Sequence, residues 1–130
     1  MAPKIIKSVP AILWSAVVLY LCLTDVTGLP HVKIYEFDKL SHFTFHFIFT
    51  ALWFFAFAEW KPEKSKSSHL KKAALLSFSY GLIIEFLQHY CTVGRHGDWR
   101  DVVGNSFGTI AFILCYNIFR RLKQRKQTAS

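Results

Sequence analysis

Glu85 sits inside a long apolar stretch, Leu70 to Tyr90, about five residues and so roughly 7–8 Å from the end of that stretch if it is helical. An acidic side chain at the centre of a membrane helix costs roughly 2.5–3.5 kcal/mol on insertion scales. Two other polar groups flank apolar runs in the same way. Asp38, Lys39 and His42 open one run, and Arg95, Asp98, Asp101 and Asn105 open another. If the three groups meet at one membrane face, the chain is a small polytopic protein built around one buried polar site.

The 130 residues leave room for one domain, 1–130. Hydrophobic residues are 52% of the chain and aromatics 17%, and the charges fall in blocks between apolar runs rather than spreading over a surface. The net charge of +8 therefore reads as topology. Its sources, Lys4 and Lys7, Lys61 to Lys72, and Arg120 to Lys126, flank apolar runs and form no phosphate-binding face, so nucleic acid is not an expected partner. Cys22, Cys91 and Cys115 show neither a disulfide framework nor metal-ligand spacing.

Four spans are expected, at about residues 9–24, 38–58, 70–90 and 101–119. Lys4 and Lys7 before a short apolar run also describe a signal peptide, but the residues beyond Leu23 lack an A-x-A site, so the run reads as retained. Pro10 suits a first helical turn. His42 to Phe49 alternates with period two, as a strand would, yet the apolar character continues to Phe57 and makes a spanning helix of roughly 20 residues. Trp60, Tyr90, Trp99 and Tyr116 are expected near span ends. The fold class is thus all-α, a four-helix membrane protein. Counting Lys and Arg in the connections places both termini and the middle loop on the cytoplasmic side, and Asp38, Glu85 and Asp101 together at the outer face.

Helical spacing puts Asp38 and His42 on one face, with His46 a turn deeper. Asp38 has a plain alternative as a first-turn acid, and His42 and His46 as packing histidines. Gln88 and His89 are close enough to the interface to be wetted. Glu85 is either a functional acid or interhelical glue, hydrogen-bonded to Lys39, Arg95 or Asn105. Asp98 to Asp101 reads as a helix N-cap with a carboxylate three residues on. Gly104 and Gly108 let a neighbouring helix approach closely, which would bring Asp101 and Asn105 against Glu85 and His42.

Carboxylates crowded with a histidine at low dielectric suit acid–base chemistry, and equally a binding site without turnover. Glu85, Asp38, His42 and Asp101 are the candidate acid–base groups; Lys39, Gln88, Arg95, Asp98 and Asn105 are candidate ligand contacts, with Lys39 or Arg95 holding an anionic headgroup. No nucleophile triad, P-loop or H-E-x-x-H helix is present, a bare Asp98-x-x-Asp101 is too common to indicate a metal, and neither cofactor nor metal is expected.

Phe37-Asp38-Lys39-Leu40-Ser41-His42-Phe43, Glu85-Phe86-Leu87-Gln88, Arg95, and Asp98 through Asn105-Ser106-Phe107-Gly108 together resemble the VanZ-like family. The resemblance spans roughly Asp38 to Phe112. It implies a small multi-pass protein of the bacterial plasma membrane, in a family named for a member associated with low-level teicoplanin resistance. It also implies a partner among lipid-linked or polymeric envelope components. Two functions stay open: an envelope protein with an outward-facing ligand site, and a non-enzymatic module whose polar residues fasten the helices. A proton-coupled carrier fits less well, since no inverted repeat or broken helix is visible.

Overall fold

The computed structural model describes residues 4–24, 31–92 and 97–128. They form four helices, α1 (Lys4–Leu23), α2 (His31–Trp60), α3 (Lys66–Cys91) and α4 (Trp99–Thr128), with no strand among the described residues. The period-two stretch at His42 is helical, as its length argued. Ser65 caps α3 by accepting the Ser68 N–H, and the short 61–65 connection turns α3 back along α2.

Two local readings change. Helix α1 begins at Lys4, so Pro10 lies inside it rather than in its first turn, and its missing N–H removes the i+4 donor to the Ile6 carbonyl. Helix α2 begins at His31, so Asp38 stands two turns inside and is no first-turn acid. Capping therefore does not explain Asp38.

Helices α2, α3 and α4 pack mutually, while α1 lies against α2 and α3. Phe54, Leu70, Ala73 and Phe112 fill one end of the bundle. Tyr116 packs on Phe54 at this end, and α4 continues about three turns beyond it. At that same end Lys7 pairs with Glu59 and joins α1 to α2. Val18, Cys22 and Ile84 fill the other side of the bundle, and all three cysteines are free thiols.

The distribution of polarity is inverted relative to a soluble protein. His42, His46, Thr50, Ser77 and Asn105 are buried, whereas Leu13, Leu75, Phe86 and Phe107 are more than half exposed. Residues Ile6–Leu23, Asp38–Trp60 and Trp99–Thr128 are long and apolar enough to cross a membrane. Helix α3 is not among these three, and its inner face carries the polar side chains of Ser77, Glu85 and Gln88.

Candidate functional site at the His42 end of the bundle

The three polar groups meet around His42, which is 1% exposed. Its Nδ1 lies 3.0 Å from Asn105 Oδ1 on α4 and 4.0 Å from Glu85 Oε1 on α3. Its Nε2 lies 3.8 Å from Asp38 Oδ1, one turn earlier on α2, and 4.0 Å from Asp101 Oδ2 on α4. The geometric centre of the cluster is thus His42 rather than Glu85. Helical spacing alone accounts for the pairing with Asp38 and for the shared face of Asp101 and Asn105.

Glycines make the convergence fit. A methyl at Gly104 would meet the Lys39 carbonyl oxygen at 3.5 Å and His42 Cβ at 3.7 Å, and one at Gly108 would overlap the Phe43 carbonyl. Helix α4 therefore rests against the α2 backbone, as the small-residue spacing suggested. Gly81 on α3, which no motif marked, leaves the space that Asn105 occupies: a methyl there would stand 2.8 Å from Asn105 Nδ2.

Asp98 caps α4, its Oδ1 accepting the Arg100 N–H at 2.9 Å. Its own N–H donates to Glu85 Oε2 at 3.0 Å. Glu85 is thereby fastened to the start of α4, not to Lys39 or Asn105. Its other oxygen, Oε1, is buried and has no hydrogen-bond partner among the described residues.

The remaining expected residues divide. Gln88 is buried rather than wetted, and its Nε2 donates to the Cys22 carbonyl, tying α3 to α1. His89 is exposed. Arg95 lies outside the described residues. Lys39 and Arg100 instead line a groove of about 500 Å³ on the outside of the α2–α4 contact, walled by Phe43, Trp99, Val103, Gly104 and Phe107. Arg100 was not singled out from the sequence; its guanidinium lies over the exposed Trp99 ring.

Below the cluster runs a polar chain that sequence spacing did not reveal. His46 Nδ1 is 2.8 Å from Ser77 Oγ, Ser77 Oγ is 2.8 Å from Thr109 Oγ1, and Thr50 Oγ1 is 3.2 Å from Thr109 Oγ1. Serine and threonine in an apolar helix usually bond back to their own backbone, as Thr50 also does to His46 O, so only the packing distinguishes these.

The sequence matches the VanZ/LLP1 family across residues 4–120, which takes in α1 to α3, α4 as far as Arg120, and the whole His42 cluster. The chain belongs to the VanZ/LLP1 family. With three membrane-length apolar helices, this VanZ/LLP1 chain is a membrane protein. No curated protein and no solved structure matches it.

Proposed function

We propose that this VanZ/LLP1 protein crosses the bacterial plasma membrane four times with both termini in the cytoplasm, and holds a lipid-linked envelope component at its outer face. The α2–α4 groove carries the reading. Lys39 and Arg100 stand at the level of Asp38 and Asp101, while Phe43 lies about one turn deeper on α2 and Phe107 about two turns deeper on α4. That order, with Arg100 exposed at the rim, the Lys39 ammonium buried beside it and an apolar wall beneath, matches an anionic headgroup above an acyl or prenyl chain. Gly104 lines the groove, and a methyl there would stand 3.7 Å from His42 Cβ, so the groove runs beside the turn of α2 that carries His42. The buried acids and imidazole are then placed beside the headgroup, where they orient it or exchange protons with it.

The Lys and Arg distribution supports the orientation. Lys61 to Lys72 and Arg120 to Lys126 belong to the end opposite the His42 cluster. The family's association with teicoplanin resistance supports an envelope-directed role, and glycopeptide susceptibility of cells carrying or lacking the chain is a second readout.

Native mass spectrometry in native-lipid nanodiscs tests the reading. The wild type is expected to retain an anionic envelope lipid that Gly104→Leu, which fills the groove, and Glu85→Gln both lose while keeping their helix content. A wild type without a selected lipid, or a groove-filled variant carrying the same lipid, would sink it. The fastening reading has its own support in the Glu85–Asp98 and His42–Asn105 bonds, which tie α3 and α2 to α4. It predicts that abundance falls in step with any loss of activity in Glu85 and His42 variants.

A further inference from the structure

The imidazole of His42 presents an unsatisfied nitrogen to two carboxylates. With Asn105 Oδ1 accepting at Nδ1, the ring hydrogen is held there and Nε2 carries a lone pair. Among the described residues Nε2 has no hydrogen-bond partner, although the side chain is 1% exposed. Facing it are Asp38 Oδ1 at 3.8 Å and Asp101 Oδ2 at 4.0 Å, and one donor atom from each of the three residues falls within 4.8 Å of the others. These separations are too long for hydrogen bonds. They suit atoms that share a cation: donors each about 2.0–2.2 Å from a first-row ion stand roughly 3–4 Å from one another.

We infer that Asp38, His42 and Asp101 form a divalent metal site. One imidazole nitrogen with two carboxylate oxygens suits Mn2+ or Zn2+ better than the oxygen-seeking Mg2+ or Ca2+. Asn105 acts as the outer support that fixes the ring tautomer and aims Nε2, a common device in histidine-ligated metal sites. Three protein donors leave at least one coordination position open. Asp38, with its side chain 27% exposed, gives the ion a way in. Glu85 stays outside this donor set, since its Oε1 faces Nδ1 and its Oε2 accepts from Asp98. No cysteine or H-E-x-x-H spacing could announce such a site, because its ligands come from two helices far apart in sequence.

The site stands independently of the lipid reading, and its test contains no lipid ligand. Chelator-stripped full-length protein in detergent is titrated with Mn2+, bound ion is followed by electron paramagnetic resonance, and Zn2+ is the competitor. The wild type should bind one Mn2+ per chain, displaceable by Zn2+, with a nitrogen coupling from His42 in the pulsed spectrum. Asp38→Asn should weaken binding at least about tenfold, and Asn105→Leu by about 10–100-fold, as outer-shell changes do. Helix content and monodisperse elution establish that each variant is folded. His42→Gln should abolish the nitrogen coupling; should it fail to fold, the wild-type coupling and Asp38→Asn decide the matter. Absence of saturable binding of either ion, binding without nitrogen coupling, or wild-type affinity in Asp38→Asn would each overturn the inference.

Discussion

Glu85 Oε2 accepts the backbone N–H of Asp98, the N-cap residue of α4. In a capping box that N–H is taken by the carboxylate three residues on, here Asp101. A side chain from α3 fills the role instead, and Asp101 is left to turn towards His42. One hydrogen bond thus closes the α3–α4 corner and assigns the second acid to the polar cluster.

Glu85→Ala should therefore destabilise more than Glu85→Gln, which keeps an acceptor for Asp98. Losing an intramolecular hydrogen bond costs about 0.5–1.5 kcal/mol. Thermal denaturation in detergent, read by circular dichroism, checks the order. Equal losses in the two variants would mean the Asp98 bond contributes nothing.

The two glycines of α4 should respond differently to the same methyl group. Gly108→Ala places it on the Phe43 backbone and should cost about 1–3 kcal/mol through overpacking. Gly104→Ala meets only ordinary contacts, and the helix propensity gained, about 1 kcal/mol, leaves it neutral or stabilised. Melting temperatures of the pair, measured in one detergent, test the contrast.

The polar chain beneath the cluster should be worth a modest amount. Ser77→Ala removes the partner of His46 and one partner of Thr109. Interhelical hydrogen bonds of this kind average about 0.6 kcal/mol in membranes. A double-mutant cycle of His46→Ala and Ser77→Ala should return a coupling of that order, and a zero coupling would show that the two merely sit together.

Thiol labelling should report the proposed orientation. Cys91 is exposed at the His42 end, Cys22 is buried, and Cys115 lies exposed on the apolar surface of α4. A membrane-impermeant maleimide added to intact cells, or to spheroplasts where an outer membrane is present, should modify Cys91 and spare Cys22 and Cys115. Labelling of Cys91 only after permeabilisation would reverse the topology.

Much of this molecule is readable without coordinates. Apolar run length marks the helices even where His42 to Phe49 alternates like a strand, and i, i+4 spacing pairs Asp38 with His42 and Asp101 with Asn105. Small-residue spacing anticipates the close approach of α4, as Gly104 and Gly108 against α2 show. What escapes is whatever depends on rotation of one helix relative to another. Ser77, Thr109 and Thr50 look like ordinary backbone-bonded residues until three helices bring them together. Gln88 seems a wetted end residue until α1 supplies the Cys22 carbonyl.

The sequence by itself determined a helical chain with membrane-length apolar segments and polar groups held at their ends, because apolar run length and i, i+4 spacing are local properties of the chain. Only the tertiary structure decided that His42 is the centre, that Glu85 caps a neighbouring helix, and that Asp38 and Asp101 face one nitrogen. Those relationships are set by how three helices rotate and settle against glycine backbones. Interhelical packing distances and side-chain directions, which no spacing along one helix encodes, choose among the rotations.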